Sequence, residues 1–122
     1  MKFTDICVIT DDVAEAVRFY EAVFQTKAEG DSIHSNIHAP GLGIAIYNKQ
    51  EAENMMGFDF TNSGTGMTTI GFDVEDAEAE YERIKALNID HVTEPHLWPW
   101  GAKSFRFPDT EGNILVFHSR QK

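Results

Sequence analysis

The sequence predicts an α+β fold: two tandem βαβββ modules forming an open, cleft-bearing, barrel-like sheet. Three observations point there. The stretch "TDICVITDDVAEAV" at 4–17 is echoed by "TTIGFDVEDAEAEY" at 68–81, each a short alternating strand, an acidic pair and an alanine-rich helix start. Asp12 answers to Asp76 at an offset of 64 residues, which lays Val13, Val17, Tyr20 and Val23 on Ala77, Tyr81, Ile84 and Leu87. Both sets have the i, i+4, i+7, i+10 spacing of one buried helix face. After each helix the chain turns to short extended segments separated by turn residues, the pattern of strands in a meander.

The first module covers about residues 1–48. Its strand places Ile6 and Val8 on one face. Asp12 then caps the helix, with Glu15 three residues on to complete a capping box. "SIHSNIHA" and "LGIAIYN" follow as strands, separated by Pro40-Gly41. A connection over about 49–66 begins helix-like at "KQEAENMM" and ends in glycines and polar residues. The second module, about 67–122, repeats the plan. Asp76 caps its helix, "HVTEP" and "SFRF" read as strands, and "PDTEGN" turns the chain into "ILVFHS". Gly112 and Asn113 supply the unusual backbone angles of that turn. The whole is read as a single domain.

Alternation along the strands divides their faces. Ile6, Val8, Ile70, Phe72 and Val74 face the helices. The opposite faces carry Asp5, Cys7 and Ile9 in one module, and Thr69, Gly71 and Asp73 in the other. In the last strand Leu115 and Phe117 form one set, and Ile114, Val116 and His118 the other. If the two sheets curve toward each other, these non-helix faces line a shared cleft, and the small Gly71 leaves room in it.

Twenty Asp and Glu stand against ten Lys and Arg, a formal charge of −10. That argues against binding a phosphate backbone, which needs clustered cations; an acidic surface draws cationic small molecules instead. Asp5, Asp11 and Asp12 come too early for a signal peptide, and no apolar run approaches the ~18 residues of a membrane span. Cys7 is the only cysteine, so no internal disulfide forms. The expectation is a cytoplasmic protein with neither nucleic acid nor membrane as partner.

The segment "PWGAKSFRFPDTEGN" resembles a motif of the vicinal oxygen chelate superfamily, also called the glyoxalase, bleomycin-resistance and dioxygenase group. "ITDDVAEAVRFYEAVF" and "FDVEDAEAEYERI" resemble that family's two strand-to-helix passages. The likeness covers nearly the whole chain and is nearest the bleomycin-resistance branch, with Thr110 standing where a proline is usual. It implies paired modules, a homodimer and a small-molecule ligand. It also implies, for the family's metal enzymes, four facing strand positions that commonly hold two His and two carboxylates. Here those positions hold Asp5, Ala45, Thr69 and Val116, so three of four lack the usual ligand and neither cofactor nor metal is expected.

Other candidates weigh as follows. His34 and His38 share a strand face but stand about 13 Å apart at ~3.3 Å per residue, too far to share a metal. Cys7 has no local base to make it a nucleophile. Asp5 needs water or a partner, the partner being a cationic ligand, Lys103 or Arg106. His118 serves either the cleft or the C-terminal surface. Trp98 and Trp100 flank Pro99, and in an extended backbone they share a face; they are either a lid on the core or a wall for a planar or cationic ligand. The expected function is metal-independent binding or sequestering of a small molecule, a cationic or aromatic antibiotic being the suggested kind, as in antibiotic-resistance relatives. Contacts are expected from Asp5, Cys7, Asn62, Met67, Thr69, Trp98, Trp100, Val116 and His118, with no catalytic residue. The alternative is a metal-dependent lyase, isomerase or dioxygenase with a nonstandard metal site.

Overall fold

The computed structural model describes residues 1, 3–39, 41–57, 59–60 and 68–120. The chain divides into two compact units, Met1–Ser63 and Gly64–Lys122. The first contains strand β1 (Asp5–Thr10), helix α1 (Val13–Phe24), β2 (Glu29–Gly30), β3 (His34–Ala39), β4 (Leu42–Asn48) and helix α2 (Lys49–Met56). Its sheet runs β1-β4-β3-β2. β1 lies parallel to β4, and the other pairs are antiparallel. A parallel pair needs a long crossover, and the stretch running from α1 through the β2–β3 hairpin supplies it.

Helix α1 starts where the sequence says it should. The Asp12 carboxylate accepts from the Glu15 N–H at 3.0 Å. The reciprocal arm differs from the expected capping box: the Asp12 N–H donates to Thr10 Oγ1 at 3.0 Å. A buried strand-end hydroxyl does what the Glu15 side chain was expected to do. The buried stripe runs Val13, Ala16, Tyr20, Val23, with Ala16 in the place expected for Val17. It packs on β3 and β4, where Ile37, Ile44 and Ile46 are fully buried. Helix α2 is capped by Asn48, whose side chain accepts from the Glu51 N–H, and it buries Ala52.

The second unit repeats the plan with β5 (Thr69–Asp73), α3 (Ala77–Lys85), β6 (His96–Leu97), β7 (Ala102–Pro108) and β8 (Ile114–Arg120). Its sheet runs β5-β8-β7-β6, with β5 parallel to β8. Helix α3 lies on β7 and β8. An aromatic cluster fills the layer: Phe117 meets Phe72, Phe105 and Phe107 edge-on at centroid distances of 5.9, 5.7 and 5.1 Å, and Tyr81 meets Phe105 at 5.6 Å. Edge-to-face pairs of this kind add about 0.5–1.5 kcal/mol each beyond their burial. Among the described residues neither sheet closes on itself, and no helix is long and apolar enough to cross a membrane.

Three local expectations are corrected here. Helix α3 ends at Lys85, so Leu87 falls past it and is 39% exposed instead of extending the buried face. "HVTEP" is not a strand. Thr93 does lie along β7, giving its N–H to the Arg106 carbonyl, but its hydroxyl, not its carbonyl, takes the Arg106 N–H. The backbone ladder starts only at His96, after Pro95, which has no N–H to give. In the "PDTEGN" turn Gly112 has φ +84°, whereas Asn113 has an ordinary negative φ. Asn113 contributes hydrogen bonds instead: its N–H and side-chain amide both donate to the Asp109 carboxylate at 2.8 Å.

Candidate functional site

The stretch "WPWG" forms the hairpin between β6 and β7. Pro99 occupies the second turn position, for which its fixed φ is suited. The Gly101 N–H donates to the Trp98 carbonyl at 3.0 Å, and the Trp98 N–H to the Ala102 carbonyl at 2.8 Å. Gly101 has φ +90°, so this is a three-residue loop closed by a glycine bulge. The tryptophans therefore sit in a turn and not in the extended backbone expected for them. They still come together: their rings stack at 5.3 Å with planes 7° apart.

The two rings have different surroundings. Trp98 is half-buried, and its indole N–H donates to Ser104 Oγ at 2.8 Å. His96 meets its ring edge-on at 4.2 Å, and the Arg106 guanidinium lies 5.8 Å from its centroid. Trp100 rests on this anchored ring and is 66% exposed. Of the two readings of the pair, the packing role goes to Trp98 and the open aromatic surface to Trp100.

Register shows what else shares the sheet face. Asp73 on β5 pairs with His118 on β8, His118 with Ser104 on β7, and Ser104 with His96 on β6. Neighbours in such a row are about 5 Å apart. Val116 pairs with Gly71 on one side and Arg106 on the other. Thr69 lies at the far end of β5. The His118 Nδ1 stands 3.6 Å from Asp73 Oδ1, and its ring passes over Gly71. An Asp–His–Ser order across a sheet invites comparison with a nucleophilic triad, but the parts do not engage. His118 leans toward β5, while Ser104 is 5% exposed with its hydroxyl occupied by the Trp98 indole. A nucleophile needs its base within hydrogen-bond reach and a free path to substrate.

Ser104, Arg106 and His96 also belong to this face and are not among the contacts expected from the sequence. The available signal was the period of two in "SFRF", which sends Phe105 and Phe107 to the helix and Ser104 and Arg106 the other way. Lys103 goes with the phenylalanines and bonds Glu78 on α3 at 2.9 Å.

In the first unit the non-helix face carries Asp5 and Cys7 on β1 beside Gly43 and Ala45 on β4, with Asn36 and His38 on β3 beyond them. Asp5 is exposed and accepts from the Thr4 hydroxyl at 2.8 Å. Cys7 is exposed as a residue, yet partial desolvation, and secondarily the Asp5 carboxylate, push its thiol above the ordinary value. His34 on the same face stacks on Tyr47 at 4.8 Å. The remaining expected contacts, Asn62 and Met67, lie outside the described residues.

Residues 2–117 match the Glyoxalase/Bleomycin resistance protein/Dioxygenase superfamily, and the chain belongs to that family. Among solved structures it is similar to a glyoxalase/bleomycin resistance protein/dioxygenase from Nocardioides. That match has a TM-score of 0.82 and 19% identity over 100% of this chain and 85% of the other. It is also similar to a lactoylglutathione lyase from Agrobacterium tumefaciens, with TM-score 0.75 and 21% identity over 97% and 92% of the two chains. A bleomycin-binding protein in complex with bleomycin matches with TM-score 0.69 and 15% identity over 99% and 100%. No curated protein matches the chain by sequence.

The metal positions of the family's enzymes can be tested against the donors present. In the first unit Asp5 has Gly43 opposite it, and Ala45 has no donor atom. In the second, Thr69 offers a hydroxyl and Val116 nothing. One carboxylate and one hydroxyl do not make a site for a divalent ion, which takes four or more N, O or S ligands. Among the described residues, no three His, Cys, Asp or Glu side chains gather as a metal group elsewhere. The residues do not fit the metal.

Proposed function

We propose that the chain binds a small, flat, aromatic molecule on the face that carries Trp98 and Trp100, without a metal, and sequesters its ligand without transforming it. The observation that carries this reading is the exposed Trp100 ring, stacked on a tryptophan that Ser104 and Arg106 hold in place. A large side chain left 66% exposed on a rigid support is pre-organised contact area. Covering it with a ligand ring gains about 3 kcal/mol at ~25 cal/mol per Å². His118, on the same sheet face, is the proposed flanking contact, and Val116, only 8% exposed, adds little to it. Binding needs apolar wall and a few placed polar groups, and no catalytic group. A bleomycin-binding protein among the structural relatives supports a binding role for this fold.

Intrinsic fluorescence tests it, because both tryptophans of the chain stand on this face. The chelator-treated protein is titrated with bleomycin and with simple fused-ring aromatics. Saturable quenching is expected, with affinity falling about tenfold or more in Trp100→Ala. Equal affinity in that variant, read through the remaining Trp98, defeats the proposal.

A further inference from the structure

The chain as a whole is acidic, yet the charges around its tryptophans are of the opposite sign. The Arg106 guanidinium lies 5.8 Å from the Trp98 ring centroid, and Arg120 Nη1 stands 3.5 Å from the Trp100 carbonyl. Both arginines are exposed. Register places Arg106 opposite Val116 and Arg120 opposite Ala102, so they share the face of Val116 and His118. Four residues of β8 separate their register positions, about 13 Å, so they bracket the indole pair from its two ends.

Of this unit's other helix and sheet cations, Arg83 forms an ion pair with Glu80 at 2.7 Å and Lys103 with Glu78 at 2.9 Å, while Lys85 lies over the Tyr81 ring. Among the described residues neither Arg106 nor Arg120 forms one, in a chain with twenty acidic side chains against ten basic. Among the described strand residues the carboxylate on this face is Asp73, beside His118 on the opposite edge strand. A guanidinium over an aromatic ring keeps its N–H edge free in plane, which suits bidentate contact with a carboxylate or phosphate.

We propose that the ligand of the tryptophan face carries an anionic group (carboxylate, sulfonate or phosphate) next to its aromatic ring. Ring and anion are recognised together, the ring by Trp100 and the anion by Arg106 and Arg120. This rests on the aromatic-binding reading above and adds the sign of the ligand's charge to it. The chain-wide acidity favours cationic molecules at long range; contact chemistry at the tryptophans favours the reverse.

Three probes with one ring system separate the two claims: 2-naphthoate, 2-naphthamide and 2-naphthylmethylammonium. Each is titrated into the ¹⁵N-labelled full chain while the two indole N–H resonances are followed. Naphthoate is expected to bind about tenfold tighter than the amide at low salt, and the ammonium weakest. That preference should shrink at about 0.5 M salt, where exposed charges are screened. The double variant Arg106→Gln/Arg120→Gln, checked as folded by its dispersed spectrum, should bind naphthoate and naphthamide equally. Trp100→Ala should weaken all three. If the ammonium binds as well as naphthoate, or the double variant keeps the preference, the charge assignment is wrong while the aromatic site stands. If none of the probes shifts the indole resonances, both fall.

Discussion

Replacing Ser104 by alanine removes the acceptor of the Trp98 indole at 2.8 Å. Ser104 is 5% exposed, so water does not readily take its place, and the loss combines a hydrogen bond with a partly buried donor left unpaired. The two together come to about 1–3 kcal/mol. Trp98→Phe leaves the complementary orphan, a buried hydroxyl, and also loses ring area. In the double variant no orphan is left, so the cycle should show a coupling of about 1 kcal/mol. The assay is urea unfolding followed by tryptophan fluorescence, which in these variants reports the second unit. With a urea slope of about 1.5 kcal/mol per M, Ser104→Ala should lower the midpoint by about 1 M. The same variant should weaken ligand binding, since Trp100 rests on a ring that has lost its anchor. Additive effects with no coupling would refute the claim that Ser104 holds the aromatic wall.

Other perturbations probe the rest of the molecule. Asp12→Ala should cost about 1 kcal/mol by uncapping α1, whereas Glu15→Ala should stay within about 0.5 kcal/mol because Thr10 supplies the reciprocal contact; thermal melts of the pair decide it. Thr110 Oγ1 is buried without a hydrogen-bond partner among the described residues, so Thr110→Val should stabilise by about 1 kcal/mol. A rise in melting temperature of about 4 °C would register it. Because the Cys7 thiol is held above its ordinary value, its thiolate fraction near neutral pH is below that of free cysteine. Alkylation by iodoacetamide should therefore rise with pH to a midpoint above that of free cysteine. Asp5→Asn should bring that midpoint part of the way back, and a midpoint at or below the free value would contradict the assignment.

Fold and site were not equally legible. The strand–helix repeat could be read because alternation and helical period are local properties of the chain, and both units obey them. Asp12 and Asp76 announced two helix starts for the same reason. What was missed depends on which side chain claims a given donor, and periodicity does not say that even where the partner is near in sequence. Thr10 displaces Glu15 in the cap because a strand end happens to lie beside the helix start. "HVTEP" looks extended, but one of its two bonds to Arg106 is taken by the Thr93 hydroxyl instead of its carbonyl. At the site, the sequence put two tryptophans together but not the division between them, which Ser104 makes by claiming one indole N–H. From sequence, Arg106 is a candidate partner for Asp5; its placement over Trp98 follows from the register of β7 against the β6 hairpin, which no local pattern encodes. Chain-wide charge pointed to a cationic ligand, and only the placement of Arg106 and Arg120 shows a local charge of opposite sign.

The central claim is that binding on the Trp98–Trp100 face needs no metal. Its most direct test is calorimetric titration of one aromatic ligand into chelator-treated protein, repeated with Zn, Ni, Mn or Fe(II) supplied in equimolar amount. The account predicts the same affinity and stoichiometry in every titration. Binding that appears only with one of the metals present, accompanied by a stabilising thermal shift from that metal alone, would contradict it.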